Sequence, residues 1–304
     1  MSLNFTHLIG RLHDQKELKR IVVVCPNDVH THHVILRSLK EGIASFILVV
    51  EEAFVDLVEP IRMEYPDLVK VCKSESVVEA ARMSVALVRN KEADVLMKGT
   101  LNTDVLLRAV LDKEKGLLPR GSVLSHVAVA QIPSYKKLLL FSDAAVVPRP
   151  HLKHFEAMLK YDLAVCRNLG IDDPRVALVH CTEKINGEFP HTLGYVILKE
   201  RALNGCYGTL HIDGPMDVKT ACDAHSGEVK GLDSPVVGNA DLLIFPNIES
   251  SNAFYKTISL FGNACMAGML TGTIAPVVLP SRADSDDSKY YSLVLACTMS
   301  EMRI

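Results

Sequence analysis

Short apolar runs recur through the first hundred residues, and each is followed by a stretch whose apolar positions fall at helical spacing. Residues 21–24 (Ile-Val-Val-Val) are uninterrupted, as expected of a strand covered on both faces. From Asp28 to Glu41 the apolar residues Val34, Ile35 and Leu39 return at helical spacing, and residues 46–50 form a second β-type run. Residues 69–72 predict a third strand. Ser74 or Ser76 then opens a helix with Val77, Val78, Ala81, Val85 and Val88 on one face. Residues 94–97 predict a fourth strand and 103–111 the next helix. Strand–helix units of this length predict parallel strands joined by right-handed crossovers.

The pattern changes over 113–121, a polar stretch with Gly116, Pro119 and Gly121 that reads as a loop leading to a second lobe. Two apolar stretches, 123–131 and 137–141, flank Pro133-Ser134 and predict paired strands around a turn. A helix is expected after Pro150 through Leu152, Phe155, Met158 and Leu159. Further strands are expected at 176–179, 209–212, 241–245 and 275–279, and a helix at 286–299. There is no internal repeat and no low-complexity segment.

Length and composition narrow the class. A chain of 304 residues, 48% apolar, suits two α/β lobes. A net charge of -3 argues against a nucleic-acid footprint, which needs a concentrated basic face. No apolar run is long enough for a membrane span, and the first residues lack a secretory pattern, so a soluble cytoplasmic protein is expected. The eight cysteines are widely spaced, several within apolar runs, and are expected to be small buried thiols.

In open α/β sheets ligands gather beyond the carboxyl ends of the strands, so the residues after each run are the candidates for chemistry. After the fourth run comes Lys98-Gly99-Thr100-Leu101-Asn102-Thr103, with Arg108 further along the helix. A cation, a glycine and a helix start suit an anion, and an ordinary turn with a capping threonine is the plain alternative. Ser142-Asp143-Ala144-Ala145 follows the 138–141 run, where Asp143 suits a base, an acceptor or a cap. Asp213-Gly214-Pro215 follows Ile212, as ligand contact or as a turn into a helix. Asn247 to Asn252 form a polar cluster after Phe245. Ser281-Arg282-Ala283-Asp284-Ser285-Asp286-Asp287-Ser288 follows the last run. Its guanidinium suits phosphate oxygens, and its hydroxyls and N–H groups suit an oxyanion. The run His30-Thr31-His32-His33 carries metal-ligand side chains. It falls inside an expected helix, with no matching acid or histidine at later strand ends, and no metal site is expected. P-loop, dinucleotide, zincin and nucleophile-elbow motifs are absent.

Taken in order, these strand-end stretches resemble the phosphate acetyltransferase/phosphate butyryltransferase family, and within it the butyryltransferase branch. The resemblance runs through 93–99 with Thr103, 124–129, 142–145, 213–215, 246–256 and 276–285. It implies a two-lobed α/β fold of the isocitrate/isopropylmalate dehydrogenase type with the active site in a cleft. The first lobe would comprise residues 1–123 and 280–304, and the second 124–279. It implies the reaction acyl-CoA + phosphate ⇌ acyl phosphate + CoA, by direct thiolate attack in a ternary complex. CoA is then a substrate, no cofactor or metal is needed, and the chain forms a homodimer. It implies Ser281, Arg282 and Asp284 as catalytic residues. Lys98, Gly99, Thr100, Thr103, Arg108, Ser125, Asp143, Asp213, Gly214, Asn252 and Lys256 are implied as substrate-binding residues. The acetyltransferase branch has an aspartate, taken as thiol base, where this chain has Ser288; Asp284, Asp286 and Asp287 are the neighbouring carboxylates. Residues 217–225 follow the family only loosely. The alternatives are a CoA- or acyl-phosphate-binding protein with impaired catalysis, and a metal-dependent 3-hydroxyacid-type dehydrogenase on the same scaffold.

Overall fold

The computed structural model describes residues 3–15, 17–281 and 284–301. The chain divides into two compact units: Phe5–Ser122 together with Met266 onward, and Val123–Cys265 together with the residues up to Asn4.

The discontinuous unit begins with α1 (Phe5–His13), β1 (Lys19–Val24), α2 (Val29–Lys40) and β2 (Ala44–Glu51). It continues through α3 (Val55–Glu64), β3 (Val69–Ser74), α4 (Val77–Arg89), β4 (Val95–Lys98) and α5 (Thr103–Val110). The inserted unit holds β5 (Ser125–Gln131), β6 (Leu139–Ser142), α6 (Leu152–Asn168), β7 (Arg175–Val179) and α7 (Pro190–Leu203). It goes on with β8 (His211–Met216), α8 (Val218–Cys222), α9 (Ala224–Lys230), β9 (Leu242–Ile244) and α10 (Ile248–Phe261). The chain returns to the first unit in β10 (Cys265–Thr271), β11 (Val277–Val278) and α11 (Asp286–Met299).

Strands of the discontinuous unit lie in the order β3-β2-β1-β4-β11-β10. All pairings from β3 to β11 are parallel, and β10 joins β11 antiparallel. Ile21 to Val24 are fully buried, which accounts for the unbroken apolar run of β1. Helix α4 packs on β1 and β2. It is capped by Ser76, whose side chain accepts from the Glu79 N–H. Helix α11 packs against α1, α2 and β11 and is buried nearly all round, so its polar faces are also inside.

In the inserted unit the order is β5-β6-β9-β7-β8. The expected hairpin is present: β5 and β6 pair antiparallel, Val127 opposite Ser142. The remaining pairs are parallel. Strand β8 starts two residues later and ends four residues later than the apolar pattern suggests, and takes in Asp213, Gly214 and Pro215. It has β7 on one side only, and an edge strand tolerates a proline that cannot donate. Gly214 has φ +134, and a Cβ there would meet the Leu178 carbonyl oxygen at 2.5 Å. Asp213-Gly214-Pro215 is therefore strand rather than a turn after one.

All eight cysteines are free. Cys25, Cys166 and Cys297 are buried, as expected, while Cys181 and Cys206 are exposed. Among the described residues no helix is long and apolar enough to cross a membrane.

Candidate active site

In the discontinuous unit three adjacent parallel strands end together. Val24 of β1 is opposite Lys98 of β4, and Met97 of β4 is opposite Val278 of β11. The loops carrying Lys98 to Asn102 and Ser281 to Ser285 therefore leave the same edge of this sheet, where α/β proteins bind ligands.

The first loop is held tightly. Gly99 N–H donates to the Val24 carbonyl at 2.8 Å, and Thr100 donates to Cys25 O through its N–H at 2.9 Å and its hydroxyl at 3.1 Å. A Cβ on Gly99 would lie 2.2 Å from Cys25 O and 2.6 Å from Val24 O. Glycine is thus required here by the backbone at the end of β1 and the residue after it. The Lys98 ammonium is buried and donates to Gly99 O at 3.1 Å and Leu101 O at 3.2 Å. Thr103 opens α5, with Asn102 as the capping residue. Arg108 is well exposed and reaches Asp104 at 3.4 Å, one turn back on the same helix. Burial pushes the Cys25 thiol up to about 11, so this cysteine is no thiolate at neutral pH.

The second loop is a tight turn. Ser281 N–H donates to Asp284 Oδ2 at 2.8 Å, and Asp284 N–H returns to Ser281 O at 3.2 Å. Arg282 lies outside the described residues. Ser285 caps α11, its hydroxyl accepting from Ser288 N–H at 3.1 Å. The three carboxylates are each engaged. Asp284 closes the turn, Asp286 lies between His30 at 2.8 Å and His33 at 2.9 Å, and Asp287 pairs with Arg37 at 2.7 Å. Partial burial tends to raise Asp286, but the bonds to His33 and His30 outweigh it and hold the carboxyl below its usual range. That makes Asp286 a weak proton acceptor. Ser288 is buried.

In the inserted unit, Asp143 is 1% exposed at the end of β6. Its Oδ2 accepts from Ser125 Oγ at 2.9 Å and His126 N–H at 3.0 Å, and its Oδ1 from the N–H groups of Ala145 and Val146, both at 2.8 Å. Four donors fill this carboxylate, so it is an acceptor with Ser125 among its partners; it closes a turn and caps no helix, since the next one starts at Leu152. The Ser142 hydroxyl turns away to Asp162. Burial raises the Asp162 carboxyl well above its usual range. Asn252 on α10 donates to Ala144 O at 3.0 Å, tying that helix to the Asp143 turn. Lys256 stands over the Tyr255 ring at 4.6 Å.

Asp213 lines a cavity of about 220 Å³ with Lys199, Gly214, Glu183 and Ser234. Burial tends to raise its carboxyl, but hydrogen bonds from Lys199 (2.5 Å), Gly214 N–H (2.8 Å) and Ser234 prevail and lower it. His180 is a residue that the apolar pattern passed over. It directly follows β7, is buried, packs on Phe189 and meets His191 at 3.1 Å. Its position just past a strand was the available signal. Burial lowers His180, and burial with the His180 neighbour lowers His191 to about 4.

Parallel sheets with polar, tightly bonded loops at their carboxyl edges are the architecture of an α/β enzyme. The chain belongs to the phosphate acetyl/butaryl transferase family, whose pattern matches residues 66–297. It is 34% identical to the phosphate butyryltransferase of Clostridium acetobutylicum over 301 residues, 99% of either chain. It is 32% identical to the phosphate acetyltransferase of Thermotoga maritima over 285 residues, covering 93% of this chain and 95% of that one. Among solved structures it resembles a branched-chain phosphotransacylase from Enterococcus faecalis V583. The TM-score is 0.81 at 28% identity, covering 94% of this chain and all of that one.

Proposed function

We propose that the chain transfers a short acyl group between phosphate and coenzyme A: acyl-CoA + phosphate ⇌ acyl phosphate + CoA. The observation that carries this reading is identity of 34% along 99% of the chain with a phosphate butyryltransferase. The loops after β4 and β11, sharing one sheet edge, support it.

The thiolate of CoA attacks the carbonyl carbon of the acyl phosphate, the C–S bond forms, and the C–O bond to phosphate breaks. The thiol proton leaves to a base, and both substrates sit in one cleft between two lobes, so that proximity lowers the barrier without an acyl-enzyme. Ser281 stabilises the charge that develops on the carbonyl oxygen or the leaving phosphate. Arg282 and Arg108 neutralise phosphate charge. Asp284 is the thiol base on this reading. Asp286 is tied to the histidines of α2, Asp287 to Arg37, and Asp284 to the Ser281 N–H within its own turn. The substrates alone balance the reaction. We further infer a homodimer, in keeping with the exposed apolar end of α10 at Leu260 and Phe261.

The test is incubation of the chain with butyryl-CoA or acetyl-CoA and phosphate, following free thiol. Phosphate-dependent release is expected. Its absence with every short acyl-CoA, in protein that still binds CoA, would leave a binding protein in its place.

A further inference from the structure

Asp28, two residues before His30, gives its carboxylate to Thr31, and the acid that meets the histidine run of α2 comes from 253 residues past His33. His30 and His33 stand one turn apart on α2, so their rings emerge on the same side of the helix. Asp286, the first residue of α11, splits its carboxylate between them: Oδ1 to His30 Nδ1 at 2.8 Å and Oδ2 to His33 Nδ1 at 2.9 Å. One ligand atom from each of the three lies within 4.8 Å of the others. His32, between them, is spent on the Pro26 carbonyl at 2.6 Å and takes no part.

We propose that His30, His33 and Asp286 form a binding site for a divalent transition-metal ion of the zinc type, which clips the start of α2 to the start of α11. Two imidazoles and a carboxylate are ligands that such an ion accepts, with a fourth position left to water. Bonds of about 2.1 Å in a tetrahedron put ligand atoms roughly 3.4 Å apart. The present nitrogen–oxygen separations open by about half an ångström to reach that, through rotation of side chains that are 56–58% exposed on the histidines and 40% on the aspartate. A ring that coordinates through Nδ1 is neutral with its one proton on Nε2, so a hydrogen now on Nδ1 moves to Nε2 or, where Nε2 already carries one, passes to solvent as the ion binds. The neighbouring cation, Arg37, is already neutralised by Glu41 and Asp287. Because Asp286 lies two residues past the Ser281–Asp284 turn, the clip fixes the helix start that follows that turn. No step of acyl transfer runs through the ion, so the proposal is independent of the reaction above.

The experiment titrates zinc, and separately cobalt(II), into chelator-stripped full chain by calorimetry and visible absorption. One equivalent with low-coordinate cobalt absorption is expected. His30→Ala, His33→Ala and Asp286→Asn should each weaken binding on the order of tenfold or more. His191→Ala, on the other unit, serves as the control and should bind as the parent does. Circular dichroism verifies that each variant is folded. Absence of saturable binding by the parent, or binding that survives His33→Ala and is lost in His191→Ala, overturns the assignment.

Discussion

Replacing Asp143 by alanine removes one acceptor from four donors at once. Two of them, the Ser125 hydroxyl and the His126 N–H, belong to buried residues; the other two belong to Ala145, which is exposed, and Val146, which is half-buried. A buried donor left without a partner costs about 1–3 kcal/mol, while an N–H that water can reach loses only the net value of its bond, about 0.5–1.5 kcal/mol. Simple addition spans about 3–9 kcal/mol. Water entering the vacated space limits the loss to about 4 kcal/mol, the usual range for removing one partner of a buried charged group. Asp143→Asn is the sharper variant. Its oxygen keeps Ala145 and Val146, and the Ser125 hydroxyl rotates to accept from the new amide. The His126 N–H then faces a donor, for a cost of about 2 kcal/mol. Ser125→Ala leaves three donors in place and should cost about 1.5 kcal/mol. Urea denaturation followed by circular dichroism reads all three. The order Ala, Asn, Ser125→Ala is the signature of a structural carboxylate. If Asp143→Ala stays within about 1 kcal/mol of the parent while thiol release collapses, the reasoning is wrong and Asp143 acts on substrate.

Three other outcomes follow from the geometry. Gly99→Ala drives a methyl into two backbone carbonyl oxygens, that of Val24 at the end of β1 and that of Cys25 just past it, and should cost about 3 kcal/mol or more in thermal denaturation. His191, lowered from the ordinary 6.5 to about 4, stabilises the fold through its neutral form. That contribution is whole above about pH 6.5 and is lost as the pH falls toward 4. It is worth roughly 1–2 kcal/mol once solvent screening is allowed for, so the drop in melting temperature between pH 7 and 4.5 should shrink in His191→Asn. Arg282→Ala should raise the phosphate KM by on the order of tenfold or more with an unchanged melting temperature, and an unchanged KM removes arginine from phosphate binding.

The parallel half of the fold was legible because buried parallel strands announce themselves as unbroken Ile/Val runs, and β1 is one. Strand β10 was not, since Cys-Met-Ala-Gly-Met-Leu-Thr has no aromatic and a single β-branched residue, at its end, to mark it. Helix α3 was hidden by Pro60 in its interior. Residue types at the site were readable one loop at a time. Their partners were not. Asp143 could be seen as an acid past a strand, but its occupation by Ser125 and His126 depends on the β5–β6 register. Asp286 could be seen as a helix-start acid, but its histidines arrive from the opposite end of the sequence. Gly99 was legible as a close approach, and only the fold shows that β1 makes the approach.

Strand β11 is two residues long, yet it sits between β4 and β10 in its sheet. During synthesis β1 to β4 emerge first, and the whole of Val123–Cys265 is made before their remaining sheet neighbours exist. Until then β4 offers an open flank with bare amide and carbonyl groups, and the apolar bed of α11 is uncovered. All strands of the inserted unit come from one continuous stretch, Val123–Cys265, and have no such wait. Assembly thus runs out of sequence order, and the unit that bears the Ser281 turn is the one whose completion is deferred. A chaperone that shields the β4 flank in the interval would be acting on the segment most exposed to mispairing.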